Sequence, residues 1–315
     1  MTTAAAIGID VGGTKIAGGV VDEAGRILEE HVVESPATDA EAIEESIATL
    51  VRTLAARHRA TSVGVGAAGY VAQDRATVLF APNIAWRNVD LKGDLEERVD
   101  LPVVVENDAN AAAWGEFAFG AGRDIDDLLM LTIGTGVGGG IVKDGELYRG
   151  GFGVAAEVGH LRVVPGGRLC GCGNRGHLEA YASGSALVRI AQEEVREGSL
   201  LGRTLLDRAG GDVDAITGPL ITEVAEEGDA FAREQLENLG RWLGEAIASL
   251  TAVLDPAMTV LGGGVSRAGD LLLQPVRAAF GRELTARGFR PVQEIRVAEL
   301  GNKAGMIGVA DLSRR

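Results

Sequence analysis

Residues 6–21 read AIGIDVGGTKIAGGVV, which is two short apolar runs on either side of a glycine-rich turn. Apolar runs of this length, separated by glycines, are typical of a β-hairpin. The pattern predicts strands at 6–11 and 15–21, joined by a turn at 12–14. A third strand is predicted at 26–33, after a second turn. The chain therefore opens with a small antiparallel sheet.

Residues 128–142 read LLMLTIGTGVGGGIV and repeat this plan of apolar run, glycine and threonine turn, and apolar run. Helical segments follow each hairpin. The first of them starts at Thr38 and Glu41, which predict a capping box, and its apolar side chains recur at spacings of three and four. Two such halves predict a duplicated α/β architecture with a cleft. Ligands in folds of this kind bind at the carboxyl ends of the strands.

The remaining segments alternate between strands and helices. Further strands are predicted at 62–67, 102–106 and 258–261, and further helices from near Asp108, over 236–254 and over 303–312. Asp255-Pro256 is expected to end the longest helix, because proline cannot continue one.

Length and charge limit the classes of function. A chain of 315 residues suits two domains. Its net charge of −15 disfavours nucleic acid and anionic membranes as principal partners. The sequence has neither an 18-residue apolar run nor a basic segment followed by an apolar one at its start. These features lead us to expect a cytoplasmic protein.

Three glycine-rich turns stand at the ends of predicted strands. The first, Asp10 to Lys15, offers backbone N–H groups, a hydroxyl and an ammonium group to a phosphate, and Asp10 could hold Mg²⁺ through water. The alternative is an ordinary hairpin turn. The second, Gly134 to Gly140, is interpreted as a second phosphate-binding turn facing the first. The third, Gly262 to Gly264, suits the base or ribose of a nucleotide. Together they indicate a nucleotide site.

Both cysteines and two of the four histidines lie within residues 160–177, named here the Cys/His loop. His160, Cys170, Cys172 and His177 are a complete tetrahedral set of zinc ligands. Because four protein ligands leave no open position, such a zinc ion would be structural. The alternative is a pair of buried thiols beside unrelated histidines.

Acidic and amide side chains accompany these motifs. Glu157 and Glu179 flank the Cys/His loop and could hold the hydroxyls of a polyol, or could be solvated loop residues. Asn107 and Asp108 follow a predicted strand, where either could simply cap a helix. Asp108 is nevertheless a candidate general base for a hydroxyl nucleophile.

The chain resembles the ROK family (repressors, open reading frames and kinases), and within it the bacterial kinases that phosphorylate glucose. The resemblance covers essentially the whole chain. It is carried by DVGGTK at 10–15 and by EVGH at 157–160, followed by CGCGNRGHLE at 170–179. The family usually has a third cysteine where this chain has His177, which can also ligate zinc.

The resemblance implies a two-domain actin-like ATPase fold, a duplicated ribonuclease-H-like architecture with an interdomain cleft. The small domain would be residues 1–110, completed by the C-terminal helix at 301–315, and the large domain residues 111–300 with the Cys/His loop. The implied reaction is ATP-dependent, Mg²⁺-assisted phosphorylation of a hexose at its 6-hydroxyl, with glucose as the expected substrate. A homo-oligomer, dimer or tetramer, is also implied.

The family's roles transfer by position. Asp108 would be the catalytic base. The sugar would be held by Gly69, Asn83, Asn107, Asp108, Glu157, His160 and Glu179. ATP and Mg²⁺ would be held by Asp10, Gly12, Gly13, Thr14, Lys15, Thr135, Gly136, Gly263 and Gly264.

Other members of the family remain alternatives. The substrate could be N-acetylmannosamine, N-acetylglucosamine, fructose, mannose or allose, and the donor could be polyphosphate. A ROK transcriptional repressor is disfavoured by the acidic charge and by the position of the first turn at Asp10, which leaves no room for a DNA-binding domain ahead of it. An actin-like structural protein is disfavoured because it has no use for the Cys/His loop.

Overall fold

The computed structural model describes residues 5–315, so the first four residues of the predicted small domain lie outside the described residues. The described strands are β1 (Ala5–Val11), β2 (Lys15–Val21), β3 (Ile27–Glu34), β4 (Ala60–Ala67), β5 (Tyr70–Val71), β6 (Thr77–Phe80), β7 (Arg87–Asp90), β8 (Val103–Asn107), β9 (Leu128–Ile133), β10 (Val137–Lys143), β11 (Glu146–Leu147), β12 (Met258–Gly262) and β13 (Glu294–Val297). The described α-helices are α1 (Ala40–Ala55), α2 (Leu91–Glu96), α3 (Asp108–Phe119), α4 (Glu179–Ala182), α5 (Gly184–Arg196), α6 (Arg203–Arg208), α7 (Gly218–Glu226), α8 (Ala230–Leu254), α9 (Asp270–Glu283) and α10 (Ala304–Leu312).

Two five-stranded sheets share one strand plan. The first has the order β3-β2-β1-β4-β8 and the second the order β11-β10-β9-β12-β13. In the first sheet β1 pairs antiparallel with β2 and parallel with β4, so an opening hairpin continues into parallel strands. The matching orders confirm the predicted duplication.

The structure corrects the predicted secondary structure at three places. Helix α1 is capped by Asp39, whose carboxylate accepts a hydrogen bond from the backbone N of Ala42 at 3.1 Å, and not by Thr38. Both residue types cap helices well, and the helix starts one residue later than the Thr38 pattern requires. A three-stranded sheet of β5, β6 and β7 lies between the strands predicted at 62–67 and 102–106, where no strand is predicted, and β13 follows the strand predicted at 258–261.

Helices pack against both faces of the first sheet, and the side chains of β1 contact both. Ile7 and Ile9 share a buried cluster with the apolar side of α1, whereas Ala6 packs with Ile307 and Ala310 of α10. This alternation follows from the two-residue period of a strand. A Cβ placed on Gly8 would lie 2.0 Å from the backbone O of Met306. Glycine at this position therefore lets α10 approach the strand closely.

The chain divides into two compact units. Unit 1 takes residues up to 130, 139–156 and 299–315, and unit 2 takes 131–138 and 157–298. The residue boundaries predicted for the two domains stay a prediction. Over residues 5–315, no helix combines the length and the apolar character needed to cross a membrane.

Candidate active site

The first glycine turn joins β1 to β2 in unit 1. The backbone N–H of Gly12 donates to the carbonyl of Lys15 at 3.0 Å, which closes the turn, and the side chains of Thr14 and Lys15 are exposed. Asp10 precedes the turn, and burial raises the pKa of its carboxyl group while the charge of Lys15 opposes the rise. Burial therefore disfavours the ionised form of the Asp10 carboxyl group, and a cation beside it would favour that form.

Asp108 is the first residue of α3, directly after β8. Asn107 caps this helix, since its Oδ1 accepts from the backbone N of Asn110 at 2.9 Å. The other end of the same amide, Nδ2, donates to the carbonyl of Gly69 at 3.0 Å and to Oδ1 of Asp108 at 3.2 Å. Asn107 is therefore a helix cap, which is one of the two roles expected for it from the sequence. The same side-chain amide also binds the Asp108 carboxylate.

One further predicted residue, Asn83, lies near these elements, and so does the N-terminal turn of α10. A Cβ on Gly13 would be 3.1 Å from the backbone O of Asn83, so Asn83 lies beside the first glycine turn. A Cβ on Gly305 would be 3.8 Å both from Oδ1 of Asp10 and from the backbone O of Asp108. The N-terminal turn of α10 is therefore close to both acidic residues. Unit 1 brings together Asp10, the first turn, Gly69, Asn83, Asn107 and Asp108.

The four predicted zinc ligands come together in unit 2. One ligand atom from each of His160, Cys170, Cys172 and His177 lies within 4.8 Å of all the others. Sγ of Cys172 is 3.3 Å from Nδ1 of His177, and Sγ of Cys170 is 3.8 Å from Nδ1 of His160. The loop is closed by a backbone hydrogen bond of 2.8 Å from the N of Cys170 to the O of Asn174.

The protonation chemistry of this cluster fits a soft divalent cation. Burial raises the pKa of the Cys170 thiol to about 11, so its thiolate needs a positive charge beside it. Burial, and then the nearby His160, lower the pKa of His177, which favours the neutral imidazole that binds metals. Two thiolates and two neutral imidazoles in this space match the tetrahedral preference of Zn²⁺.

Glu179 connects the Cys/His loop to the second glycine turn. Its Oε1 accepts from Sγ of Cys170 at 3.5 Å, and its Oε2 accepts from the backbone N of Val137 at 3.1 Å. A Cβ on Gly136 would lie 2.3 Å from Oε2 of Glu179, so a larger residue there would displace the carboxylate. The predicted zinc ligands and the second glycine turn are therefore in contact through one side chain.

Glu157 and His160 face each other beside this cluster. Nε2 of His160 is 3.9 Å from Oε2 of Glu157, while Nδ1 of the same ring faces Cys170. Burial raises the pKa of Glu157, the charge of His160 lowers it, and Glu179 raises it further. His160 can thus ligate a metal through one nitrogen and leave the other toward a ligand.

A cavity of about 840 Å³ in unit 2 brings two of the glycine turns together. Thr135 from the second turn and Gly264 from the third both line it. Sequence reasoning missed the rest of its wall, which includes Gly184, Ser185, Gly218, Pro219, Thr222 and Arg267. Ser183 caps α5 and Thr217 caps α7. These capping residues are the sequence feature from which the two helix starts that line the cavity could have been predicted. A cavity of this size is in the range of small-molecule sites.

The chain is similar to known sugar kinases over nearly its whole length. The ROK family model matches residues 6–315. A glucokinase of Streptomyces coelicolor is 50% identical over 308 residues, which cover 98% of this chain and 97% of that protein. An N-acetylmannosamine kinase of Escherichia fergusonii is 34% identical over 322 residues, covering 100% and 99%. The crystal structure of a ROK family glucokinase from Streptomyces griseus in complex with glucose and AMPPNP has a TM-score of 0.90 and 52% identity, covering 99% of each chain.

The duplicated sheets, with glycine turns at their strand ends, define a protein of the actin-like ATPase fold. Within that fold, the chain belongs to the ROK family.

Proposed function

We propose that this chain is an ATP-dependent glucokinase that phosphorylates glucose at its 6-hydroxyl. The observation that carries the proposal is the likeness, over 99% of both chains, to a glucokinase crystallised with glucose and AMPPNP, an analogue of ATP. The 50% identity to the Streptomyces coelicolor glucokinase supports the same substrate.

Asp108 is proposed as the general base. Its carboxylate takes the proton of the 6-hydroxyl while that oxygen forms a bond to the γ-phosphorus, the bond from the γ-phosphorus to the β,γ-bridging oxygen breaks, and ADP leaves. The hydrogen bond of 3.2 Å from Asn107 supports this role because it fixes one carboxylate oxygen and orients the other. A positioned base contributes typically about 10²–10⁴-fold to the rate.

The sugar hydroxyls are proposed to bind two sets of side chains. Asn83 and Asn107, with the Gly69 backbone between β4 and β5, would form one set. Glu157, His160 and Glu179 would form the other, in which burial raises the pKa of Glu157 and a hydroxyl could donate to its carboxylate. Several carboxylate and amide acceptors suit a polyol, because each of its hydroxyls needs a partner when it leaves water.

The nucleotide is proposed to use all three glycine turns. Gly12, Gly13, Thr14 and Lys15 would bind phosphate oxygens, and Thr135 and Gly136 would form the second phosphate-binding turn. Gly263 and Gly264 would face the adenosine, which the cavity beside Gly264 supports. Asp10 would hold Mg²⁺ through water, and a Mg²⁺ ion supplies neutralisation of the phosphate charge.

The zinc site is proposed to be structural, with His160, Cys170, Cys172 and His177 as its ligands. When bound, zinc would cross-link the Cys/His loop by joining its four ligands. The support is the ligand spacing of 4.8 Å or less and the donor set. His160 is one of these ligands, and Glu179 contacts the ligand Cys170. Because both residues also belong to the proposed sugar site, the loop would position the sugar.

A homo-oligomer, dimer or tetramer, is also part of the proposal, and so is the absence of nucleic acid as a partner. Sedimentation equilibrium of the purified protein would give two or four chain masses. A single chain mass at micromolar concentration would contradict the oligomer without affecting the proposed reaction.

The test of function is a coupled assay with ATP over glucose, mannose, fructose, N-acetylmannosamine and N-acetylglucosamine, and with polyphosphate in place of ATP. We expect the highest kcat/KM for glucose with ATP. The competing function is N-acetylmannosamine phosphorylation, favoured by the full-length match at 34% identity. A higher kcat/KM for either N-acetylhexosamine than for glucose would overturn the proposal.

A further inference from the structure

Glu106 is a buried carboxylate directly before the proposed sugar and catalytic residues, and no step above uses it. It is the fourth residue of β8, and 2% of the residue is exposed. A carboxylate that leaves water at this depth needs partners for its charge and its lone pairs. Its surroundings supply them from three separate segments of unit 1.

One oxygen of Glu106 binds the start of helix α3. Oε1 accepts from the side-chain Nδ2 of Asn110 at 3.1 Å and from the backbone N of Asn107 at 3.1 Å. Asn110 in turn donates its backbone N–H to Asn107, and Asn107 donates to Asp108. A continuous set of hydrogen bonds therefore runs from the buried carboxylate to the proposed base.

The other oxygen of Glu106 binds two arginines that are distant in the chain. Oε2 accepts from Nε of Arg149 at 2.7 Å, and Nε of Arg75 lies 3.9 Å from the same oxygen. Burial, and then the charge of Arg149, lower the pKa of Arg75, while Glu106 raises it. Two cations share one anion, so the carboxylate also reduces their mutual repulsion.

Both arginines are themselves fixed by the backbone around them. Arg75 has a φ of 56° and donates from Nη2 to the carbonyl of Leu312 at 3.1 Å. The carbonyl of Arg75 accepts from the backbone N of Val105 in β8 at 3.0 Å. The carbonyl of Arg149 accepts from the backbone N of Ala155 at 3.1 Å. The carboxylate is thus held from two anchored segments of the chain.

We propose that Glu106 is a positioning residue for phosphoryl transfer. Its carboxylate, held by Arg149 and Arg75, fixes Asn107 and the first turn of α3, and this keeps Asp108 aimed at the sugar hydroxyl. The proposal rests on the proposed function, in which Asp108 is the base. A displacement of about 1 Å at a reacting group can cost on the order of 10²-fold in rate, so the effect belongs to kcat.

Glutamine is the sharpest replacement at this position. It keeps the size of the side chain, but it has one acceptor oxygen and an NH₂ group that would face either the guanidinium groups or Asn110. We expect Glu106→Gln to lower kcat by about 10-fold or more. We expect the KM for glucose, the KM for ATP and the Kd for glucose to change by less than about 3-fold. Glu106 binds the backbone N of Asn107, whereas the side-chain amide of Asn107 stays held by Gly69 and Asn110.

A second arm tests the arginine without removing the carboxylate. Arg149→Met should lower kcat in the same manner, and Arg149→Lys, which keeps a charged donor, should recover part of that loss. In the double variant Glu106→Gln/Arg149→Met the two losses should not multiply, because both act through one network. This arm also keeps the inference testable if Glu106→Gln does not fold.

The control is Glu44 on α1, a second buried carboxylate, which lies 3.3 Å from the guanidinium of Arg98. Glu44→Gln should keep the wild-type kcat, because Glu44 contacts none of the proposed catalytic or binding residues. The inference is overturned if folded Glu106→Gln and Arg149→Met keep wild-type kcat, or if their losses appear in KM alone. Those results together with an inactive Asp108→Asn would leave the proposed function intact. A wild-type protein that phosphorylates no sugar would defeat the proposed function itself.

Discussion

Asp108 begins α3 at the point where β8 ends, and its position has a physical explanation in the neighbouring residues. The amide of Asn107 uses its oxygen to cap the helix and its nitrogen to hold the Asp108 carboxylate. A helix N-terminus carries partial positive charge and favours an ionised carboxylate nearby. The same features that make Asn107 an ordinary cap would therefore keep Asp108 ionised, which is the state that its proposed role as base requires.

Asp108→Asn is expected to fold, to bind glucose and to lose at least about 10²-fold in kcat, because an amide cannot take the proton. Steady-state kinetics with glucose and ATP, together with a glucose Kd from intrinsic tryptophan fluorescence, measure both effects. Asp270→Asn, at the start of α9, is the matched control and should keep wild-type kcat. Near-normal turnover of Asp108→Asn would contradict the role of Asp108 as general base and leave it only a structural role at the start of α3.

At the scale of elements, the Cys/His loop combines a cluster of four predicted zinc ligands with a contact to the second glycine turn. The cluster comes from residues 160–177, and Glu179 at the start of α4 contacts both Cys170 and Val137. A change in this cluster should therefore reach the backbone of that turn. Sequence distance gives no hint of this contact, which joins residues 42 positions apart.

We expect one zinc ion per chain by elemental analysis of the purified protein. Removing it with a chelator, or replacing Cys170 by alanine, should weaken glucose binding most, because His160 and Glu179 lose their support. It should also weaken AMPPNP binding through the Glu179 contact with Val137. Titration calorimetry measures both ligands, and readdition of Zn²⁺ but not Mg²⁺ should restore them. A zinc-free protein with normal affinities would contradict the site.

The edge strand β3 is attached to the segment after α1 by a cluster around Glu29. Its carboxylate accepts from Nε2 of His31 at 2.7 Å, from Nε2 of His58 at 2.8 Å and from Nη1 of Arg57 at 2.8 Å. These hydrogen bonds, with that of His31 the largest cause, lower the pKa of Glu29 to about 2. A group whose pKa is lowered by folding stabilises the protein in its ionised form.

The sign of the pH dependence follows directly. The contribution of Glu29 to the free energy of unfolding is fully present above the unfolded pKa of about 4.3. It is lost as the pH falls through about 2. In urea unfolding, Glu29→Gln should be less stable than wild type at pH 6, and the difference should shrink below pH 4. Glu237→Gln on the exposed side of α8 is the control and should show no such trend. A difference that stays constant down to pH 3 would contradict the assignment.

At the scale of the whole molecule, binding of substrates should stabilise the folded chain by mass action. At a ligand concentration of 100 times Kd the gain is about 2.7 kcal/mol, which corresponds to roughly 5 °C in Tm for a chain of this size. We expect glucose and AMPPNP each to raise Tm in a thermal-unfolding experiment, and N-acetylmannosamine to do so less than glucose at equal concentration. An equal or larger shift with N-acetylmannosamine would favour the competing function.

The sequence by itself determined the repeated strand and glycine-turn plan, the two Cys and two His residues that cluster in unit 2, and the polar residues after β8. These features depend on local spacing and on the chemistry of single residue types, which a linear chain displays directly. Only the tertiary structure decided which distant groups meet. The Glu106 carboxylate meets Arg149 across 43 positions, and the short strands β5, β6 and β7 form a sheet where the sequence predicts no strand. A buried charge and the backbone groups of a buried strand must each be hydrogen-bonded or paired. Which partner satisfies them depends on how the folded chain places distant segments side by side, and local sequence does not show this.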